Sequence, residues 1–356
     1  MRNTMWTVLA LAAVAAAPAG AQTPAAAGQA AAERIRVVTR AISSAPFVAM
    51  YQRGGEEQTD RQTKSFKIGA QGDIDASNIA GDITVTRGSS NEATIEILKR
   101  ARGRSADDAR EMLGLVQVNV TERNGHIEIR TQYPRGDEMR TSGRRNINVS
   151  VDLTITTPAG TRILAHSISG DLKATDIKGD LSLETISGSV TISGASRIAS
   201  AKSVSGDVSI TDTQTDGSIE AGSVSGSISL SKARARGMDL GSISGDIVVH
   251  DVECDRADLH SFSGNVEYAG SFTKNGRYDM KSHSGDVRLS VSGSTGFEVE
   301  ATTFSGSVRS DLQLQRMDAE RASDRMRRRS LRGTYGDGSA IVQITTFSGS
   351  VVVGKR

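Results

Sequence analysis

The feature that most restricts this chain is a short motif that returns about every twenty residues. Ser-Gly recurs with its glycine at Gly170, Gly188, Gly206, Gly226, Gly245, Gly264, Gly285, Gly306 and Gly349, at spacings of 18, 18, 20, 19, 19, 21, 21 and 43. Ahead of it stand Ile168, Ile186, Val204, Val224, Ile243, Phe262, His283, Phe304 and Phe347. Two residues beyond the glycine come Leu172, Val190, Val208, Ile228, Ile247, Val266, Val287, Val308 and Val351. Self-similarity at such a period marks a solenoid. The period is too short for a βαβ unit, which needs about 30 residues, and apolar residues alternate with polar ones as in a strand. Weaker copies half a period on, at Lys178-Gly179-Asp180-Leu181 and Asp216-Gly217-Ser218-Ile219, divide each repeat into at least two strands. The turns are expected where glycine tolerates a positive φ. One coil cannot fold alone, whereas coils stacked at about 4.8 Å share backbone hydrogen bonds with two neighbours. The fold class that follows is all-β: a parallel β-solenoid (β-helix) of 18–21 residues per coil, with the apolar positions on both sides of Ser-Gly turned inward.

The residue after each motif glycine reads Asp171, Ser189, Asp207, Ser227, Asp246, Asn265, Asp286, Ser307 and Ser350. No two aspartates are successive. Stacked carboxylates would repel by about 1 kcal/mol in water and by several times that at lower effective dielectric, so the alternation agrees with one repeat per coil.

Upstream the pattern changes. Gly72-Asp73-Ile74 and Gly81-Asp82-Ile83 look like an early coil, followed by a strand with Ile95 and Ile97. Ser105 and Asp108 resemble a capping box for a short helix that Gly114 can end. Val116, Val118 and Val120, an Asn124-Gly125 turn, and Ile127 and Ile129 read as a hairpin. Ile147, Val149, Val151, Leu153 and Ile155 then alternate as a further strand. The expected organisation is a signal peptide (1–21), a low-complexity linker (22–64), a small β-rich N-terminal cap with one short helix and the first coils (65–160), the repeat array (161–310), an arginine-rich insertion (311–338) and a final coil (339–356). A cap is required because an open terminal coil would recruit other chains.

Arg2, the apolar run Met5 to Ala17 and the small residues Ala19-Gly20-Ala21 make an export signal with cleavage expected after Ala21. The run is shorter than the roughly 20 residues that span a bilayer, so no transmembrane segment is expected in the mature chain. The lack of a cysteine near the cleavage site and the Lys355-Arg356 ending predict neither a lipid anchor nor a sorting tail. Periplasm or cell surface is the expected location. Cys254 is the only cysteine, which excludes an internal disulfide framework and multi-thiolate zinc sites. With 43 basic and 41 acidic residues the net charge is +2, giving no field to steer the protein to nucleic acid.

These residues resemble the bacterial "putative adhesin" domain of unknown function, exported proteins with serial Ser-Gly-Asp/Ser-apolar repeats in a β-helix. The resemblance covers roughly Phe66 to Val353, from Gly81-Asp82-Ile83 to Thr346-Phe347-Ser348-Gly349-Ser350. It implies binding at the surface or envelope and carries no catalytic residues.

Motifs for chemistry fail on inspection. Gly222-Ser223-Val224-Ser225-Gly226 and Gly241-Ser242-Ile243-Ser244-Gly245 have an apolar centre where a nucleophile elbow needs serine. Ser229 to Lys232 and Ser271 to Lys274 fit Ser-x-x-Lys without the accompanying Lys-Thr-Gly, and Gly333 to Gly338 lacks the Gly-Lys-Ser/Thr end of a phosphate loop. His250, Asp251, Glu253, Cys254, Asp255, Asp258 and His260, with His283 one coil on, are rich in ligand types, but alternation splits them between opposite faces. Calcium in the turns would need the paired glycines that are missing. His283 is read as an imidazole filling a buried aromatic stack, and Cys254 as a small core residue. No catalytic residue, metal or cofactor is therefore assigned.

One charge cluster stands out. Arg316, Arg321, Arg325, Arg327, Arg328, Arg329 and Arg332 crowd the long interval before Gly349, and Lys99-Arg100-Ala101-Arg102-Gly103-Arg104 lies in the cap. Arginines suit bidentate contacts to phosphate or carboxylate, so the seven are candidates for an anionic ligand such as an envelope glycan. The interval itself is expected to leave the rod as an exposed excursion, with the coil of Gly306 leading directly to that of Gly349. The function expected is an exported, non-catalytic, adhesin-like β-solenoid of the cell envelope that recognises a polysaccharide or surface protein. The alternatives are a parallel β-helix polysaccharide lyase or hydrolase, and a structural filament subunit. N-terminal sequencing of the exported form should read from Gln22; an intact Met1 would refute export by this route.

Overall fold

Main-chain hydrogen bonding between coils dictates the architecture. The computed structural model describes residues 55–134, 147–316 and 329–355. The expected signal peptide and most of the expected linker lie outside them. Two stacks of parallel strands form the solenoid. In the first, Asp73–Ala80 pairs with Arg162–Ser169, followed by Asp180–Ser187, Arg197–Ser203, Ser218–Ser223 and the later halves of Ile228–Ser242, Ile247–Ser261 and Val266–Ser284. In the second, Ile83–Arg87 pairs with Leu172–Thr175, then Val190–Ser193, Val208–Gln214, the earlier halves of the same long strands, and Val287–Ser292. Within the strands of the second stack the chain bends at Asp212, Lys232 and Asp251, which occupy one row and share φ values of 52°, 51° and 54°. Aspartate is among the non-glycine residues that best tolerate that left-handed conformation.

The core is one continuous column of aliphatic side chains. Leu172, Val190, Val208, Ile228, Ile247, Val266, Val287 and Val351, two residues past the motif glycines, are all buried as the alternation requires. At one end of the column the larger Tyr268, Phe272, Tyr278 and Phe297 pack ring against ring at 4.2–5.8 Å.

Chain order and stacking order part company at both ends. Asp73–Ala80 lies between His126–Gln132 and Arg162–Ser169, and Ile83–Arg87 lies between Val149–Thr157 and Leu172–Thr175. At the far end, Ala340–Ser348 inserts between Val266–Ser284 and Phe297–Ser305, and Val351–Lys355 between Val287–Ser292 and Val308–Ser310. The coil of Gly349 thus precedes that of Gly306 in the stack, which corrects the expected sequential order. Each end finishes in antiparallel pairing. Glu92–Gly103 covers Val149–Thr157 and is itself covered by Glu56–Lys67, Gln117–Arg123 covers His126–Gln132, and Ser330–Tyr335 covers Phe297–Ser305. Such a change of direction blunts an edge that would otherwise template further strands.

Three boundaries are corrected. Residues 56–64, expected as linker, belong to the strand Glu56–Lys67. The interval 311–338 is not wholly an excursion, since Gln315–Arg316 and Ser330–Tyr335 are strands paired with each other. The helix Ala106–Leu115 starts at Ser105, whose hydroxyl accepts from Asp108 N at 3.2 Å, but it runs through Gly114 and ends against Val116. The hairpin turns at Asn124-Gly125 as read, with φ of 54° and 81°.

Val208 is fully buried while Val204, four residues earlier, is 42% exposed. Val208→Asp should therefore cost several kcal/mol by burying an unpaired charge, and Val204→Asp less than about 1 kcal/mol. Urea melts of the two variants check the register.

Candidate functional site

Every motif glycine lies against the carbonyl of the motif glycine one coil below. A Cβ on Gly188, Gly206, Gly226 or Gly245 would come within 2.0–2.1 Å of that oxygen, and the same holds within 2.2 Å from Gly170 to Gly349 and Gly306. Close approach is what demands glycine, since Gly170 alone of the nine has a positive φ. Each carbonyl in turn accepts a hydroxyl from the coil above: Thr185 to Gly170, Ser203 to Gly188, Ser223 to Gly206, Ser242 to Gly226, Ser261 to Gly245 and Ser282 to Gly264, at 2.8–3.1 Å. Thr346 and Thr303 continue the row to Gly285 and Gly349. At the first rung Asn78 Nδ2 takes the Gly81 carbonyl at 2.9 Å, leaving the buried Ser167 hydroxyl without a partner. The aspartates have their own task. Asp82, Asp171, Asp207, Asp246 and Asp286 each accept the amide N–H after the motif glycine of the next coil, at 2.7–2.9 Å. Because Asp82 and Asp171 are adjacent, hydrogen bonding rather than avoidance of like charge explains this row.

The hydroxyl row decides what faces solvent. Ser or Thr must point inward to reach the glycine carbonyl, so strand alternation turns the following residue outward. That residue is the apolar one before Ser-Gly, expected in the core. The correction is general: Ile79, Ile168, Ile186, Val204, Val224, Ile243, Phe262, Phe347 and Phe304 are exposed, from 36% at Ile79 to 64% at Phe304. Amide-to-carbonyl bonds between successive coils keep them in one line. His283 is a rung of the same line, out in solvent. Its ring stacks on Phe262 at 4.7 Å and on Phe347 at 4.9 Å, and Phe347 stacks on Phe304 at 4.8 Å, with interplanar angles of 7–12°. The result is a continuous apolar ladder of ten rungs, aliphatic toward the N-terminal cap and aromatic at the other end, about 45 Å long at the strand spacing.

Beside the ladder on the same sheet face runs a second row: Ser77, His166, Glu184, Lys202, Gly222, Gly241, His260, Lys281, Thr345 and Thr302. The two rows enclose a shallow groove of about 540 Å³ at the aromatic end, lined by His283, Phe304, Phe347, Lys281, Thr302 and Thr345 among others. A third row stacks four carboxylates, Glu220, Asp239, Asp258 and Asp279. Three are paired: Glu220 with Lys202 at 2.6 Å, Asp258 with Arg256 at 2.7 Å and Asp279 with Lys281 at 2.7 Å. Burial pushes Asp239 above the ordinary carboxylate value, against the pull of the neighbouring His260.

The seven candidate arginines are not assembled into a site by the described residues. Arg321, Arg325, Arg327 and Arg328 fall outside them. Arg316 lies in the short strand Gln315–Arg316, the Arg329 carbonyl accepts from Thr303 N, and Arg332 pairs with Glu300 at 3.3 Å. The basic run of the cap is engaged by acids on adjoining strands. Lys99 is buried and donates to the Val116 carbonyl at 2.8 Å, Arg100 pairs with Asp152, and Arg102 with Glu57 at 3.0 Å. Cys254 is in the core, where burial raises its thiol to about 12, and Glu253 turns the other way to Arg234 at 2.7 Å. Among the described residues no group of three or more His, Cys, Asp or Glu is placed to hold a metal ion, and no helix is long and apolar enough to cross a membrane.

A family model, Toastrack DUF4097, matches residues 73–353. No curated protein matches the chain. Three solved structures align over most of it. One is a "putative cell adhesion protein" from Clostridium sporogenes ATCC 15579 (10% identity, 84% of this chain and 100% of that one, TM-score 0.24). The others are "putative adhesins" from Bacteroides fragilis NCTC 9343 (14%, 83% and 97%, 0.40) and Parabacteroides distasonis ATCC 8503 (11%, 84% and 98%, 0.34).

Ser and Thr stand before the apolar residue in every motif, and that regularity in the sequence was the signal for the inward hydroxyl row. Ser223→Ala should cost about 1–3 kcal/mol by leaving the Gly206 carbonyl unpaired, Ser225→Ala almost nothing, and Gly226→Ala more than either. Thermal unfolding of the three variants gives the ranking.

Proposed function

The chain belongs to the Toastrack DUF4097 family, a β-solenoid fold, and from that premise we propose that it is an exported, non-catalytic, adhesin-like protein of the cell envelope, periplasmic or surface-located, that captures a polysaccharide or surface protein along its exposed apolar ladder. The ladder is the observation that carries this reading. Isolated exposed apolar residues are ordinary, but a contiguous line of nine with one imidazole is a patch of the kind that marks an interaction surface. The ring faces are turned to one another, so a ligand meets ring edges and the flat row of aliphatic side chains. The arginines from Arg316 to Arg332 remain a proposed accessory element for anionic ligands.

The stacked carboxylates Glu220, Asp239, Asp258 and Asp279 favour one rival, a β-helix enzyme acting on a glycan, since two nearby carboxyl groups with separated proton affinities are what glycoside hydrolysis uses. Their pairing with Lys202, Arg256 and Lys281 argues for a structural charge row instead.

Both readings are separated by presenting the mature protein to a panel of acidic and neutral polysaccharides and envelope proteins, scoring binding and cleavage. Binding without cleavage is expected, and Ile186→Ser combined with Phe262→Ser should weaken it at least tenfold with little change in melting temperature. Cleavage that Asp239→Asn abolishes would overturn the proposal.

A further inference from the structure

Resting on the reading of the ladder as an interaction surface, we infer that the partner it fits in the free protein is a second copy of this chain, laid antiparallel across the same face, so that dimer formation and ligand capture compete for the ladder. The size of the surface is the first ground. Nine apolar side chains, each with roughly 100 Å² in water, offer on the order of 900 Å², close to the 800 Å² or so that one partner contributes to a standard interface. The second is local alignment: each of the four rings on successive rungs lies within 7–12° of parallel to the next, so the aromatic end presents an ordered row of ring edges to a facing ladder.

The third ground fixes the orientation. A two-fold axis between Val224 and Ile243 places rung one opposite rung ten. Val224 then meets Ile243, Val204 meets Phe262, Ile186 meets His283, Ile168 meets Phe347, and Ile79 meets Phe304. Every ring falls against an aliphatic side chain, filling the shallow groove beside Phe304 and Phe347, whereas parallel rods would oppose ring to ring and leave a gap at the aliphatic end. The same axis preserves the neighbouring row. Gly222 falls opposite Gly241 at the centre, where the His260 imidazole lies over Gly241, and Glu184 falls opposite Lys281, an attraction made twice, with Lys281 also holding its own Asp279 at 2.7 Å. Ser77 falls opposite Thr302 and His166 opposite Thr345, pairings of polar groups; Lys202 falls opposite the basic His260 and keeps its own Glu220 at 2.6 Å. A symmetric, self-complementary contact of this kind closes on itself as a dimer and does not propagate.

Sedimentation equilibrium of the mature protein tests the association. A dimer is expected, with Ile186→Ser plus Ile243→Ser raising the dissociation constant at least tenfold. Glu184→Lys and Lys281→Glu should each weaken it, and the two together should restore it. For orientation, Ile168→Cys protein mixed with Phe347→Cys protein should give a mixed disulfide under mild oxidation, and neither alone a homodisulfide; the native Cys254 is buried. A monomer at every concentration would overturn the dimer while leaving ligand capture to its own panel. A dimer indifferent to the serine substitutions would overturn the ladder as its interface, and homodisulfides without the mixed product would overturn the antiparallel arrangement.

Discussion

The approach of one glycine to the carbonyl of the next sets the geometry of everything else in this molecule. With a Cβ some 2.1 Å from that oxygen the coils could not close to strand spacing at this corner. Once they do close, the carbonyl is shut off from water and needs a donor, which the Ser or Thr three residues before the glycine of the coil above supplies. An inward hydroxyl forces the next side chain outward. The glycine row, the hydroxyl row and the apolar ladder are thus one constraint followed along four residues of backbone.

Much of the fold was legible because a solenoid repeats its own evidence. The period gives the coil, the weaker half-period motifs give two strands per coil, and Val208 and its equivalents two residues past the glycine are core residues, except Val308 on the terminal coil, which is only half-buried. Ser105 and Asn124-Gly125 act locally and were correctly placed. The apolar residue before Ser-Gly reads as core on hydrophobicity alone, and the structure turns it outward because the hydrogen bond to the glycine carbonyl takes the inward place. Alternation alone cannot say which of two rows faces in when the polar member, such as Ser223, is small enough to bury and has a carbonyl to satisfy. His283, expected in a buried aromatic stack, is exposed in the same row, and as the polar member of an otherwise apolar row it is the one sequence signal of that orientation.

The order of coils was not legible, for a different reason. A repeat shows which segments are equivalent and not which ones touch, since Gly349 fits against Gly285 by the same chemistry that would fit it to Gly306. The interval of 43 residues leaves room for the chain to run past one coil and return beneath it, with Ser330–Tyr335 turning back over Phe297–Ser305 on the way. The N-terminal cap uses the same device, with the Ile74 to Val85 coil held between cap and array. Interleaving the ends ties distant segments into the stack, so that neither end is a lone coil free to peel away.

A ladder also distributes recognition in a way that a pocket does not. By area each rung of roughly 100 Å² is worth at most about 2.5 kcal/mol, before the cost of association is subtracted. No single side chain then dominates, and affinity grows with the number of rungs a partner covers. Short partners gain too little, and long ones gain in proportion to length. The stacking of Phe262, His283, Phe347 and Phe304 holds those rings in place before any contact is made, which reduces the side-chain entropy lost on binding. On the function proposed for the ladder, rigidity supplied by the coil repeat would convert into selectivity for long, apolar-edged surfaces, and the chemistry of any one residue would matter less than the regularity with which the row is built.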